Sequence, residues 1–448
     1  MGQGSLMLTK AMFVSLANRD YLLVWLSNLG AVFAMQMQMV ARGWMIYDMT
    51  KSAIALAWVT LSFMAPTLVF SLLGGVMADR LRKKWVMIGT VGLNALASLV
   101  LGTIIITDNV TFTHFILFGL FNGTVMALSM PARQAIIPGI VGGTNLVNAM
   151  ALSTASMNLS RILAPAFAGV LISLVAGGDR TSALGVGVVF YIVTLFSILS
   201  VVTLLLLRHE GRTVMTQRRG MVGDIGNGLK YVAGNSAIMG LLLMGFMPLL
   251  FGMPLQFLLP VFNSEVLRRG PEGLGLLMAS MGVGALIGSL VMAGLGDVRR
   301  KGLIMLASAV TWAIFTGMFA LSTNLAWALP LLAMVGCSST AYMAMNMSLV
   351  QLAVSEEMRG RVMSLSMMTF GLMPLGVFPT SILSERFGIG FALLVGAVGL
   401  GLMTLIAGVA LPSIRRIDMG HEPLAQPVSF TGHPGSTVPG QADKAAKE

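Results

Sequence analysis

Apolar stretches long enough to cross a membrane recur along the whole chain, and they constrain its fold more than any other feature. A transmembrane helix needs about 20 predominantly apolar residues to cross a hydrocarbon core about 30 Å thick. Only 10% of the 448 residues are charged, against about 25% in an average soluble domain. Twelve spans are predicted, at 21–46, 53–78, 85–107, 112–137, 146–176, 183–207, 236–262, 272–296, 302–322, 325–353, 361–384 and 388–412.

The length of these runs decides between the two structures that can span a bilayer. Backbone polar groups in lipid need internal partners, so a spanning segment is an α-helix or a strand of a closed barrel. Barrel strands are shorter and alternate in polarity, whereas these runs are continuously apolar. We therefore predict an all-α membrane protein with twelve transmembrane helices. The first run begins near Tyr21 and is long enough to span, so no cleavable signal peptide is expected.

The net charge of +11 is distributed unequally between alternate loops. Basic residues concentrate on the side of the N-terminus, at 80–84, 208–219, 299–301, 359–361 and 415–416. The opposite loops hold only Lys51, Arg180, Arg268, Arg269 and Arg386. Because cytoplasmic loops carry an excess of Lys and Arg, the chain is predicted to lie in a bacterial inner membrane with both termini on the cytoplasmic side. Anionic lipid headgroups supply the counter-charge, so no nucleic-acid partner is expected.

The chain contains an internal repeat. Span two ends in glycine, aspartate and a basic cluster at 74–84, and span eight ends in the same order at 294–301. The sequence at 150–153 is similar to the sequence at 363–366. Two related halves with the solute site between them are a known transporter plan. We predict an N-terminal six-helix bundle at 1–207, a cytoplasmic linker with an amphipathic helix at 208–235, a C-terminal bundle at 236–412 and a disordered cytoplasmic tail at 413–448.

The loop after span two carries the most specific motif. Its glycine, Asp-Arg pair and basic residues resemble the major facilitator signature between helices two and three. Glycine lets helices approach closely, and a carboxylate at a helix end can accept bonds from Arg or from a neighbouring helix N-terminus. The resemblance implies a latch on the cytoplasmic side, formed by Gly75, Asp79, Arg80, Arg82, Lys83, Asp297, Arg299 and Arg300.

Span five carries a second, partial motif. Ala164, Pro165, Ala168 and Gly169 resemble the Gly-Pro-x-x-Gly-Gly motif of drug and proton antiporters, with alanine at two of the glycine positions. Small residues permit a tight helix crossing, and proline can kink the helix. A generic small-residue packing face is the alternative interpretation.

Four further segments, at 18–21, 38–48, 131–135 and 359–364, resemble the major facilitator branch that includes bacterial enterobactin exporters. The resemblance covers about 18–412. It implies a secondary active exporter of a siderophore or drug-like compound that works by alternating access, with a proton as the coupling ion, and it implies a monomer. An importer of an anionic metabolite, or a lipid-handling member of the same fold, is the alternative.

Charged residues inside a membrane are costly and mark candidate functional sites. Arg161 lies deep in span five and could hold an anionic cargo group, pair with a carboxylate or bond backbone carbonyls. Arg42 either faces the substrate cavity or snorkels to the outer interface. For the polar residues on spans seven and ten, interhelical hydrogen bonding is the alternative. The candidate cavity residues are Asn28, Gln38, Arg42, Asn158, Arg161, Gln256, Tyr342 and Asn346.

The remaining sequence argues against other classes. No Gly-x-x-x-x-Gly-Lys-Ser/Thr phosphate loop is present, so an ATP-driven pump is not supported. The four histidines fall at span edges, in loops or in the tail, and Cys337 is the single cysteine. We therefore expect no metal site, no cofactor and no enzymatic activity. No carboxylate lies in the middle of a predicted span, so proton coupling rests on the resemblance, with Asp48 as the nearest candidate.

Overall fold

The computed structural model describes residues 14–177, 183–211, 226, 229–295 and 300–410. A 3-10 turn, Val14–Ala17, precedes the membrane helices. We label these helices α1 to α12 in chain order, with α7 and α11 each divided into two pieces. Their bounds are α1 Arg19–Thr50, α2 Ala53–Arg80, α3 Lys83–Ile106, α4 Phe112–Gly142, α5 Asn145–Val175, α6 Ala183–Leu205, α7a Ser236–Phe251, α7b Pro254–Glu265, α8 Pro271–Leu295, α9 Lys301–Ala320, α10 Leu325–Ala353, α11a Glu356–Thr369, α11b Pro374–Phe387 and α12 Ile389–Ala410.

The predicted all-α membrane architecture is confirmed. In the described part of the chain, eleven spans are long and apolar enough to cross a membrane. The eleventh predicted span, 361–384, is occupied instead by two shorter helices, α11a and α11b, joined by the 3-10 turn Phe370–Leu372. Pro374 begins α11b because proline has no N–H to donate and fits the first helical position.

Span seven is also broken, at Gly252 and Met253. Pro248 has no N–H, so the carbonyl of Met244 lacks its usual intrahelical donor. Pro254 then begins α7b at a position where no N–H is needed. The span predicted over 236–262 is present as Ser236–Glu265, and it consists of two helices that meet near its middle.

Local signals in the sequence explain where several other helices begin and turn. The side chains of Asn18, Ser52, Asn235 and Asn324 accept hydrogen bonds from the first backbone N–H groups of α1, α2, α7a and α10, as N-cap residues do. Between α4 and α5 the chain turns at Gly142, where φ is 67°, a conformation that favours glycine.

The chain forms two halves, α1–α6 (the N-half) and α7–α12 (the C-half). Each half contains a close helix crossing at a glycine, and the two crossings are equivalent in position. A Cβ on Gly123 of α4 would lie 2.1 Å from the Phe63 carbonyl oxygen of α2. A Cβ on Gly336 of α10 would lie 2.0 Å from the Met281 oxygen of α8. The pairs α2–α4 and α8–α10 occupy the same place in their halves, so the repeat is visible in the packing.

Little of the predicted linker and tail belongs to the described structure. Residues 229–233 are helical, within the linker predicted at 208–235. Residues 212–225, 227 and 228 of the predicted linker, and the tail at 413–448, lie outside the described residues. Those domain boundaries stay predictions.

Candidate functional site

A cavity of about 280 Å³ lies between the two halves, near the middle of the helices that form it. The N-half contributes α1 and α5 to its wall, and the C-half contributes α7 to α10. This is where transporters with two related halves bind their solutes. The wall is formed by Gln36, Arg161, Pro165, Gly252, Met253, Leu255, Gln256, Met278, Met281, Gly282, Ala285, Trp312, Val335, Gly336, Ser339, Thr340 and Met343.

Arg161 carries the positive charge of this wall. It lies sixteen residues from the start of α5, which is about 24 Å along a helix with a rise of 1.5 Å per residue. The residue is exposed to the cavity, and it makes no hydrogen bond or ion pair with another described residue. Its guanidinium is therefore available to a ligand.

Three uncharged polar groups lie in the same wall. Gln36 is 8% exposed, and its amide has no hydrogen-bond partner among the described residues. The Nε2 of Gln256 contacts Met39 Sδ at 3.8 Å, which is a weak interaction. The indole Nε1 of Trp312 is buried and has no acceptor among the described residues. The amides of Gln36 and Gln256 are thus polar groups of the wall that the described protein satisfies weakly or not at all.

Of the predicted cavity residues, Arg161 and Gln256 line this cavity. Gln38 lies inside the N-half instead, where it donates to Ser98 Oγ at 2.8 Å and accepts from Asn122 Nδ2 at 3.4 Å. The Oδ1 of Asn28 accepts a hydrogen bond of 2.6 Å from Arg133 Nη1, also within the N-half. Both residues belong to polar contacts between helices of one half.

Two residues of α10 that were predicted to line the cavity form hydrogen bonds inside the C-half instead. The hydroxyl of Tyr342 donates to the Met244 carbonyl at 2.5 Å, the carbonyl left free by Pro248. The Nδ2 of Asn346 donates to the Leu241 carbonyl at 3.0 Å. Interhelical hydrogen bonding, the alternative interpretation from the sequence, describes both residues.

Arg42 and Asn158 also lie away from the described cavity wall. The guanidinium carbon of Arg42 is 5.7 Å from the centroid of the Phe63 ring, so this half-buried side chain makes a cation–π contact inside the N-half. Asn158 is half-buried on α5 and has no hydrogen-bond partner among the described residues.

The small residues of span five form a close crossing between the halves. Ala164, Pro165, Ala168 and Gly169 are all buried, and Pro165 and Gly169 pack closely against α8. A Cβ on Gly169 would lie 2.5 Å from the Pro271 oxygen, and a Cβ on Gly275 would lie 2.5 Å from the Pro165 oxygen. The tight packing predicted for this motif is present, and its antiporter role stays a prediction.

The halves are also joined at the end of the bundle where α1 finishes, which we call the distal side. The Tyr47 hydroxyl of α1 donates to Glu265 Oε1 of α7b at 2.5 Å. Glu385 of α11b accepts a bond from the Ser52 hydroxyl and one of 3.0 Å from the Ile54 N–H in the first turn of α2. Two carboxylates of the C-half thus close the distal side against the N-half.

The basic cluster after α2 contacts its own half, at the opposite end of the bundle, which we call the N-side. Lys83 Nζ donates to the Gly211 carbonyl at 3.1 Å, and Lys84 Nζ donates to the Leu205 and Leu207 carbonyls at 3.0 and 2.7 Å. Cations near a helix C-terminus satisfy free carbonyls in this way. The cluster therefore fastens the end of α6.

The predicted latch is described only in part. Arg82 pairs with Glu210 at 3.0 Å, Arg80 is exposed, and Arg300 is the left-handed N-cap of α9. The surroundings of Gly75, the side chain of Asp79, and the whole of Asp297 and Arg299 are not described. A latch between the halves stays a prediction.

Two six-helix halves around a cavity between them are the architecture of membrane transporters of the major facilitator class. The chain belongs to the transmembrane secretion effector family, whose profile matches residues 10–429. It is thus a multi-pass membrane protein with bacterial transporter relatives.

Its similar sequences include efflux proteins. Macrolide efflux protein A of Streptococcus pyogenes is 25% identical over 389 residues, which are 83% of this chain and 91% of that protein. The multidrug efflux pump Tap of Mycolicibacterium fortuitum is 24% identical, covering 86% and 93% of the two chains. The enterobactin exporter EntS of Shigella boydii is 26% identical, covering 65% and 67%.

Solved structures share the fold. A bacterial homologue of the human lysosomal transporter Spinster has a TM-score of 0.70 at 15% identity, and the match covers 89% of this chain and 98% of that one. The nucleoside transporter NupG has a TM-score of 0.67 at 16% identity, covering 88% and 98%.

Sequence reasoning missed Gln36 and Trp312. Gln36 is two positions from Gln38 on α1, and residues two apart on a helix point in nearly opposite directions. Choosing between them requires the rotation of α1, which packing determines. Trp312 lies on α9 in a span whose apolar character gives no signal for a cavity.

Proposed function

We propose that the protein is a secondary active exporter that moves small siderophore-like or drug-like molecules out of the cytoplasm by alternating access. The observation that carries this proposal is the mid-membrane cavity, because the contacts of Tyr47 with Glu265 and of Glu385 with α2 close its distal side. With the N-side in the cytoplasm, as the basic loops favour, cargo enters from inside and leaves when the distal contacts break.

The named functions of the relatives support the direction of transport, since they are efflux and export proteins. We place the chain in the inner membrane as a monomer with both termini in the cytoplasm, and we retain the linker at 208–235 and the cytoplasmic tail at 413–448. The residues Asp79, Arg80 and Asp297 keep their proposed part in closing the N-side.

We further propose proton antiport as the energy source. Asp48, the candidate from the sequence, forms a 2.5 Å ion pair with Lys51 of its own half. Glu265 and Glu385 contact the opposite half, so their protonation is better placed to couple to distal opening.

The test is whole-cell accumulation of a panel of siderophores and lipophilic dyes, with and without expression, before and after a protonophore collapses the gradient. Lower accumulation that the protonophore reverses supports proton-coupled export. Lower accumulation that persists contradicts the coupling alone. Raised accumulation indicates the importer, and unchanged accumulation across the panel contradicts export of these compounds.

A further inference from the structure

We propose that the cavity selects amphipathic organic anions, whose charged group binds Arg161 while their apolar body packs against methionine side chains. This inference rests on the proposed export function, because it names the class of cargo that the same cavity takes. It distinguishes this chain from a pump for lipophilic cations.

The positive charge of the cavity wall favours an anionic cargo. Arg161 faces the cavity without a hydrogen bond or ion pair to a described residue, and the described wall contains no Asp or Glu. A charge in a low-dielectric interior is costly unless it is paired. An anionic cargo supplies the missing partner, with guanidinium geometry that suits a carboxylate. A cationic cargo adds a like charge with no counter-ion.

The indole of Trp312 lies in the wall, but its N–H is buried and does not open onto the cavity. The side chain is 3% exposed, and its Nε1 has no acceptor among the described residues. An indole N–H can donate a hydrogen bond but cannot accept one. The exposed Arg161 guanidinium likewise donates only, and it is the group of the two that a cargo meets, so the wall favours a ligand rich in acceptor oxygens.

The break in span seven adds a second positive feature. α7b begins at Pro254, and Met253, Leu255 and Gln256 at this start all line the cavity. A helix N-terminus carries a partial positive charge. Here Pro254 has no N–H, and the Gln256 N–H donates to the Met253 carbonyl at 3.0 Å, so the contribution is that of the helix dipole. Discontinuous helices in other transporters direct such ends toward anionic groups of the substrate.

The apolar part of the wall explains why the anion is amphipathic. Met253, Met278, Met281 and Met343 surround the same space. Methionine is flexible and polarizable, so it adapts to apolar and aromatic groups of varied shape. The cavity volume of about 280 Å³ is close to the lower end of small-molecule sites, which suits a compact aromatic acid better than a two-chain lipid.

Two dyes with the same xanthene core test the charge preference. We would measure the binding of fluorescein, an anion, and rhodamine 123, a cation, to the purified full-length chain by fluorescence anisotropy. We expect fluorescein to bind at least about tenfold more tightly, the scale of a charge-assisted hydrogen bond. Arg161→Gln should remove most of this preference, and Arg161→Lys should keep part of it.

Arg133→Gln is the matched control, because it removes a membrane-embedded arginine that bonds Asn28 and does not line the cavity. It should leave the ratio of the two affinities unchanged, with folding of every variant checked by size-exclusion chromatography. Equal or tighter binding of rhodamine 123, failure of fluorescein to bind, or a preference that survives Arg161→Gln would each overturn the proposal.

Energised transport separates this inference from the proposed function. Proteoliposomes with an imposed proton gradient would be assayed with both dyes. Anion-selective binding without gradient-driven transport in either direction contradicts the exporter and leaves the selectivity standing. Gradient-driven transport of rhodamine 123 in preference to fluorescein supports a pump and overturns the anion selectivity.

Discussion

Replacing Tyr47 by Phe should weaken the distal closure without disturbing the packing around it. The ring is 3% exposed and stays in place, while the 2.5 Å hydrogen bond to Glu265 is lost. A hydrogen bond to a charged group contributes about 1.5–3 kcal/mol. Because Glu265 is exposed and regains water, we expect a shift of about 1–2 kcal/mol, or a factor of about 5–30 toward the distal-open state.

Pulsed electron paramagnetic resonance can measure this shift. Spin labels would be attached at Asn109→Cys in the N-half and Thr323→Cys in the C-half, both exposed at the distal end, in a Cys337→Ser background. Tyr47→Phe should increase the fraction of long distances. Tyr191→Phe is the matched control, because that hydroxyl contacts Thr103 within the N-half at 3.2 Å.

A double-mutant cycle tests whether Tyr47 acts through Glu265. If Tyr47 acts through Glu265, adding Glu265→Gln to Tyr47→Phe should change the distances by less than the sum of the single effects. An unchanged distance distribution in Tyr47→Phe, or an equal change in Tyr191→Phe, would show that this bond does not hold the distal side closed.

Three further substitutions test other contacts. Gly275→Val should abolish efflux and lower the thermal unfolding temperature, because a Cβ there would lie 2.5 Å from the Pro165 oxygen. Gly92→Ala is the control and should be neutral, because a Cβ at Gly92 would have nothing within 4 Å. Equal unfolding temperatures of the two variants would contradict the close crossing between α5 and α8. Lys84→Met should cost about 1 kcal/mol of stability through its lost carbonyl bonds, measured by denaturant unfolding in detergent, and an unchanged midpoint would argue against the fastening of α6. Asp79→Asn should sharply reduce efflux with membrane insertion intact, and wild-type efflux would remove its proposed role.

In the described part of the chain, the sequence is sufficient for the order of the spans and for eleven of the twelve, because burial in lipid imposes length and apolarity on each one. It does not determine which face of each span points into the cavity. Gln36 and Gln38 are equally polar and two residues apart, yet Gln36 lines the cavity and Gln38 bonds Ser98 inside the N-half. Their different roles follow from how α1 rotates against α5 and α6, a non-local property that one sequence does not contain.

Span seven shows a signal that could have been used. Pro248, Gly252 and Pro254 interrupt one apolar run, and interrupted spans indicate binding sites in transporters with internal repeats. Taking them as a break places Gln256 beside a helix N-terminus and leaves the Met244 carbonyl needing a donor, which Tyr342 supplies. The same break therefore accounts for one predicted residue that lines the cavity and for another that does not. At Pro248 the carbonyl that loses its donor is served by Tyr342, whereas Pro254 stands at a first helical position where no N–H is needed.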